Sequence, residues 1–451
     1  MSAGTILPQT SLLTSSLPKS AAAGQDRAMT AAARLDPQPW MTAPASRAVF
    51  AALAAGGADA RFVGGCVRDA WLGRPVKDID IATHAPPDRV MALLTAAGLR
   101  AIPTGIAHGT VTALSDGQPY EITTLRRDVD SDGRHARVVF TDDWEEDAAR
   151  RDLTMNALSC TADGVVHDPF GGLADLAAGR VRFVGDAMRR VTEDVLRLLR
   201  FFRFYAHYGR GAPDADALAA CVALAPRLPT LSGERVRGEL FRLLTTPDAA
   251  ANSAAEVWRL MIDHGVMTHL LPSATRTHRL ARLARLEHDL GIPADPTRRL
   301  AAVLDADRAE SLRVAERLRL SNPERDRLAA LTEPPVALPI HATEHQGTAL
   351  RQALYRVGDA ALYQDLVLLA ATDAPGPLDL ADPRAALAVA ADLPTLRLPI
   401  AGRDLLALGV ERGPALGALL KRVEAWWIAG DFQADRAACL DQARGFGAFE
   451  A

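Results

Sequence analysis

Between Arg61 and Ala85 the chain reads RFVGGCVRDAWLGRPVKDIDIATHA, a segment whose residue types suit phosphate chemistry. Lys77, Asp78, Ile79, Asp80 and Ile81 alternate polar and apolar. As a strand they would send Asp78 and Asp80 to one face and Ile79 and Ile81 into a core. Hard divalent cations such as Mg²⁺ are held by one or two carboxylates together with substrate phosphates, which an acidic pair beside a phosphate cradle supplies. Gly64 and Gly65 precede a probable helix carrying Val67, Arg68 and Asp69. Residues without side chains let the backbone approach a ligand closely, and a helix start offers free N–H groups and a positive dipole end. Either feature alone is commonplace, as a turn or a solvated strand edge. Joined in one short segment they describe metal-dependent chemistry at a phosphate.

Three later segments carry further candidates. Tyr120 to Leu125 reads as a strand lying beside the aspartate strand, with Glu121 and Thr123 on one face. Glu121 is a candidate third carboxylate; the alternative is an edge-strand glutamate near Arg126. Residues 127 to 137 mix charge with Ser131 and Gly133 and lack apolar periodicity, which predicts a mobile loop. In RRDLTMNAL, residues 150 to 158, Arg150 and Arg151 offer donors to phosphate oxygens while Asp152 and Asn156 could bond ribose hydroxyls. Asp152 as a helix cap beside solvated arginines is the bland alternative. VTEDVLRLLRFFRFYAHYG, residues 191 to 209, predicts one amphipathic helix capped by Thr192 and stopped at Gly209. Asp194 and Arg197 fall on one face of it, where an intrahelical ion pair would contribute about 0.2–0.5 kcal/mol. A carboxylate accepts and a guanidinium donates, so the two also complement a base edge bearing an amino donor beside a ring-nitrogen acceptor. Cytosine and adenine present that edge; uracil and guanine present its inverse.

GGCVRDAWLGRPVKDIDIAT resembles the signature of the DNA polymerase beta superfamily, in the branch of tRNA nucleotidyltransferases and bacterial poly(A) polymerases. The resemblance implies that Gly64, Gly65, Arg68 and Asp69 hold a triphosphate and that Asp78 and Asp80 bind the two metals, with Mg²⁺ as cofactor. PTGIAHGTVTAL from Pro103, and the run from Tyr120 to Ser159, are similar to CCA-adding members, particularly the mitochondrial type, which carry a flexible loop at residues 127 to 137. Arg150, Arg151 and Asp152 match the family's ribose-binding Arg-Arg-Asp motif, with Asn156 following in the same segment. Glu193, Asp194 and Arg197 match its base-selecting Glu-Asp-x-x-Arg motif, and Arg200 and Arg203 continue the stripe toward phosphate or RNA. The implied activity is template-independent addition of C, C and A to the 3′ end of tRNA from CTP and ATP, with release of pyrophosphate. A bacterial poly(A) polymerase is the runner-up, and CC-only or A-only enzymes share the motifs. The form IPTGIAHGTV and the missing basic tail speak against poly(A) addition. Intact aspartates and an intact base-reading pair speak against a catalytically dead RNA-binding protein.

These side chains need elements to position them. The implied class is α+β: a small mixed-sheet nucleotidyltransferase head with helices over residues 41 to 185, followed by all-α segments. Those are a neck over 186 to 270, a body over 271 to 340 and a tRNA-binding tail over 341 to 451. A last short head strand is expected near Val181 to Val184, and Ser232 and Arg235 open a helix expected to brace the base-reading one. The 451 residues carry a formal charge of −4, unusual for an RNA binder, so local basic patches must supply RNA affinity. Four scattered cysteines argue against zinc or a disulfide framework, and no apolar run is long enough for a membrane span. The cytoplasm is the expected location, with no obligatory protein partner. Residues 1 to 40 read as a disordered tail. His264, His269, His278 and the His288, Asp289 pair raise a phosphohydrolase reading that lacks matched partners. Trp426 and Trp427, in a tail segment resembling bacterial family members, suit packing as well as RNA contact.

Overall fold

The computed structural model describes residues 33–131, 136–247, 250–340, 346–373, 376 and 380–446. Among the described residues nine strands are formed: β1 (Ala60–Val63), β2 (Asp80–Thr83), β3 (Arg100–Gly105), β4 (Thr110–Ser115), β5 (Gln118–Thr124), β6 (Arg126–Ser131), β7 (Ala136–Phe140), β8 (Ser159–Cys160) and β9 (Val166–His167). Seven of them make a mixed sheet in the order β3-β4-β5-β2-β1-β8-β9, in which β2 and β5 run parallel and the other pairs antiparallel. Period-two patterning decides which face is buried. Phe62, Ile81, Val111, Tyr120 and Ile122 point into one core with Val49 and Leu53 of the Pro44–Ala55 helix and Val90 and Leu94 of the Pro87–Ala96 helix. The opposite face is left to Arg61, Val63, Asp80 and Glu121, which is where chemistry can be done.

The core does not stop at the edge of the head. Phe183 stacks on Phe201 of the Leu196–Tyr208 helix at 5.8 Å, and the same apolar cluster continues through the Gly233–Leu244 helix to Ala371. The tail has two small cores of its own, one from Ile340 to Leu396 and one from Ile400 to Ala443. The Ala360–Thr372 helix faces both sides: Leu366 and Leu368 join the main core, while Tyr363 and Val367 join the first tail core. Trp427 is buried and donates its indole N–H to Ala434 O at 3.0 Å.

Several expectations are corrected. Residues 33 to 40 are part of the head rather than tail: Arg34 bridges Val165, Leu35 is buried, and Trp40 meets Phe62 edge-on at 4.8 Å. The remaining expected tail, residues 1 to 32, lies outside the described residues. The expected loop over 127 to 137 is largely a β6–β7 hairpin, Arg126 pairing with Phe140 and Ser131 with Ala136, with 132 to 135 outside the described residues. Charged residues hid it because periodicity finds strands by apolar alternation, which this run lacks. The strand near Val181 reduces to one bridge between Leu153 and Phe183. The single helix over 191 to 209 is two helices, Ala187–Glu193 and Leu196–Tyr208, because Asp194 takes an extended conformation, φ −152° and ψ 106°. Asp186, not Thr192, caps the first.

Candidate active site

β1 ends at Val63 and turns through Gly64, whose φ of +70° favours glycine. A Cβ there would also come within 3.1 Å of Arg151 Nη1, so the residue serves both the turn and the approach of a guanidinium. The helix Gly65–Trp71 starts at once, so its first amides lack partners within the helix. β2 begins only at Asp80; Asp78 lies in the preceding loop, not on the strand as the alternation predicts. The alternation of burial nevertheless persists, with Asp78 exposed, Ile79 buried, Asp80 half-buried and Ile81 buried. Glu121 sits in register beside Asp80 across the parallel β2–β5 pair. Burial, reinforced by the Glu121 and Asp78 charges and opposed by Arg151, pushes the Asp80 carboxyl up to about 6. Carboxylates that repel one another on a half-buried face are stabilised by a cation. The donors are all hard oxygens, which fits a divalent metal of the Mg²⁺ type. Among the described residues no closed cluster of three or more ligating side chains forms, so substrate phosphates would complete any such coordination.

Gly64, Gly65, Arg68, Asp78, Asp80, Arg151, Asp152, Asn156, Asp194, Arg197 and Arg200 all line one cleft of about 690 Å³ between the sheet and the Leu196–Tyr208 helix. Arg150, Arg203, Phe204 and Arg242 complete it, so guanidinium groups face the aspartates across the opening. That concentration of positive charge, on a chain of net charge −4, attracts a polyanion locally. Asp69 and Glu121 are absent from this lining. Asp69 grips Arg68 through two bonds, Nε to Oδ1 at 3.0 Å and Nη2 to Oδ2 at 2.8 Å, while Arg68 Nη1 donates to Asn156 Oδ1 at 2.5 Å.

The Arg-Arg-Asp segment is fixed by a residue that sequence reasoning passed over. Asp147, buried on the Trp144–Ala149 helix, accepts from Arg150 Nε at 2.8 Å, Arg151 Nη2 at 3.1 Å and the Arg126 backbone N–H at 3.2 Å. Its spacing of three and four from the arginines was the available signal. Asp152 is not a helix cap for the short turn Thr154–Asn156, whose N-cap position is Leu153. It accepts from Arg200 Nε at 2.6 Å, Asn156 Nδ2 at 3.0 Å and its neighbour's amide at 2.8 Å. Although burial opposes its charge, Arg200 and the hydrogen bonds win, holding it down to about 2. Asp152 is therefore ionised throughout the neutral range.

Asp194 and Arg197 do not pair with each other. Asp194 receives the Leu196 amide at 3.1 Å on one oxygen and Arg235 Nη2 at 2.7 Å on the other. Arg197 is held by Glu193 Oε2 at 2.7 Å and by the backbone oxygens of Arg190 and Arg150, both at 3.1 Å. The helix break at Asp194 makes this possible, because separate partners can orient an acceptor and a donor independently. Arg235 comes from the Gly233–Leu244 helix, on which buried Glu239 also accepts from Arg203 Nε at 2.6 Å. With the Arg200–Glu239 pair at 3.7 Å, that helix braces Asp194 and the Leu196–Tyr208 helix through three charged contacts. The histidines of the phosphohydrolase reading lie away from this cleft, and Asp289 pairs with Arg285 at 2.7 Å.

Fold and site together define a nucleotidyltransferase: an acidic pair beside a Gly-Gly turn, backed by an arginine-lined helical wall. Residues 60–182 match the Poly A polymerase head domain, and residues 212–277 match the probable RNA and SrmB-binding site of polymerase A. The mitochondrial CCA tRNA nucleotidyltransferase 1 of Mus musculus is 32% identical over 393 residues, covering 83% of this chain and 84% of the relative. A CCA-adding enzyme of Limosilactobacillus fermentum is also 32% identical, over 86% of this chain and 94% of the relative. The chain belongs to the family of CCA-adding tRNA nucleotidyltransferases. Among solved structures, the Bacillus stearothermophilus CCA-adding enzyme in complex with CTP is similar with a TM-score of 0.66 and 28% identity, covering 90% of this chain and 99% of that one.

Proposed function

We propose that this chain adds C, C and A to the 3′ end of tRNA without a nucleic-acid template, taking CTP and ATP into the cleft between head and neck. The observation that carries this reading is the separate anchoring of Asp194 and Arg197 in the same cleft as the two aspartates. An ionised carboxylate accepts from an exocyclic amine and a guanidinium donates to a ring nitrogen, so cytosine and adenine are taken while uracil and guanine are rejected.

The assigned roles follow the cleft from base to phosphate. Asp152 and Asn156 face the ribose hydroxyls, with Asp152 kept ionised by Arg200. Gly64, Gly65, Arg68 and Arg151 hold the triphosphate, Asp69 aiming Arg68, and Arg200 adds positive charge. Asp78 and Asp80 would hold Mg²⁺, with Glu121 beside them as third carboxylate. When bound, the metals supply activation of the tRNA 3′-hydroxyl and stabilisation of the leaving pyrophosphate. The protein's own contribution is to keep the α-phosphate in line with that hydroxyl by fixing base, ribose and phosphates at once. The domain division into head, neck, body and tRNA-binding tail, and a cytoplasmic location without an obligatory protein partner, belong to the same proposal. Four buried, unpaired cysteines support a reducing compartment. Among the described residues no helix is long and apolar enough to cross a membrane. The test is incubation with tRNA lacking its CCA end and each nucleotide singly and in combination. Addition of two C residues and then one A is expected; runs of A would replace this reading by poly(A) synthesis.

A further inference from the structure

The main cleft continues into a second recess of about 610 Å³ that shares Gly65, Arg68, Asp78 and Asp80 with it. The recess adds Arg74, Lys77, His207 and Tyr208, whereas the base-reading and ribose-facing residues line only the main cleft. A nucleotide with its base at Asp194 and Arg197 and its α-phosphate at the shared wall must therefore send its β- and γ-phosphates toward the recess. This direction rests on the nucleotidyl-transfer reading above. At the recess wall, the Tyr208 ring packs against two guanidiniums, Arg68 at 4.6 Å and Arg74 at 4.5 Å from its centroid. Its hydroxyl donates to Asp69 Oδ1 at 2.8 Å, the carboxylate that aims Arg68, and Arg74 Nη2 donates to His207 O at 3.0 Å. Arg68, Asp69 and Arg74 belong to the head, while Tyr208 is the last residue of the Leu196–Tyr208 helix, whose second residue is Arg197.

We propose that Tyr208 is a positioning residue for the polyphosphate end of the nucleotide, holding Arg68 and Arg74 apart so that both guanidiniums face the β- and γ-phosphates and then the departing pyrophosphate. One rigid helix thus reads the base near its start and sets the phosphate clamp at its end. Cation–π contacts from one ring hold both guanidiniums at the recess wall, while Asp69, which the hydroxyl meets, aims Arg68. Burial pushes the Tyr208 phenol above its usual value, so it remains a donor to Asp69.

The experiment compares the full chain with Tyr208→Phe, Tyr208→Leu and Arg74→Ala. Extension of tRNA lacking only its terminal A gives kcat, separate KM values for ATP and tRNA, and the inhibition constant of pyrophosphate. Calorimetry with inorganic pyrophosphate and Mg²⁺ gives binding independent of turnover. Tyr208→Leu and Arg74→Ala should raise the KM for ATP and both pyrophosphate constants about tenfold, with kcat within about threefold and ATP-over-GTP preference unchanged. Tyr208→Phe, which keeps the ring, should raise them about threefold. Unchanged pyrophosphate constants in folded Tyr208→Phe and Arg74→Ala would overturn the proposal, as would an increase confined to the KM for tRNA, which would give the recess to RNA. If Tyr208→Leu melts early, the other two variants decide. Failure of the wild-type chain to extend tRNA would instead refute the nucleotidyl-transfer reading.

Discussion

Asp78, Asp80 and Asp194 are all carboxylates in one cleft, yet their partners assign them different work. The first two meet other carboxylates, so replacing either by Ala should abolish incorporation of both nucleotides while leaving tRNA binding nearly unchanged. Wild-type incorporation in either variant would remove them from the chemistry. Asp194 meets Arg235 and an amide, a setting that aims an acceptor. Asp194→Ala should cost roughly 1–3 kcal/mol of discrimination, by analogy with bidentate base readout, shrinking the preference for CTP and ATP over UTP and GTP. Rates with all four nucleotides on tRNA lacking its end measure this, and an unchanged ratio in both Asp194→Ala and Arg197→Ala would move specificity elsewhere. Asp152 titrates differently again. Its folded pKa, about 2, lies below the usual 3.8, so the native state binds its proton less readily than the unfolded chain. The stabilisation is complete above about pH 4 and is lost as pH falls toward 2, amounting to roughly 2 kcal/mol. Denaturant melts of wild type and Asp152→Asn should converge on acidification across that window; a constant gap would deny the linkage.

The β6–β7 hairpin is coupled to the phosphate-facing arginines through its first residue. Asp147 takes the Arg126 amide and both Arg150 and Arg151, so hairpin position and arginine position are set by one carboxylate. A ribbon tied to the cleft in this way links its position to the pocket that must accommodate the larger base. Shortening the hairpin across residues 130 to 137 should therefore slow A addition more than C addition, and equal slowing of both steps would count against it. The helix break at Asp194 matters at the same scale. In a continuous helix Asp194 and Arg197 would meet as neighbours and neutralise each other; the extended residue gives each its own partners.

Across the whole molecule, head, neck and body share one continuous core, and that core contains a charged knot. Glu287 accepts from Arg298 and Arg299, each at 2.7 Å, while Asp365 accepts from Arg298 and Arg327, each at 2.8 Å. Arg299 also donates to Leu244 O at 2.7 Å, at the end of the helix that braces the base-reading one. Removing one partner strands buried charge, so Glu287→Ala should destabilise the chain by about 3–5 kcal/mol. The knot lies outside the catalytic cleft, so activity below the melting transition should stay near wild type. A thermal melt alongside a tRNA extension assay checks both halves.

The sequence by itself determined which residues to consider, the acidic pair, the Gly-Gly turn, the Arg-Arg-Asp segment and the Asp194 and Arg197 pair, because each is a local pattern of residue type and spacing, and the structure lines one cleft with them. Glu121 was legible for a related reason: strand alternation put it on the polar face, and the parallel register then placed it beside Asp80. What contacts distant in sequence decide was hidden. No local rule says that Tyr208 packs against both Arg68 and Arg74, that Arg235 orients Asp194, or that Arg200 keeps Asp152 ionised. The hairpin and the helix break were misread because periodicity reports burial, and both are shaped by polar partners instead. Only the tertiary structure could decide these, since hydrogen bonds between remote side chains leave no period in the sequence.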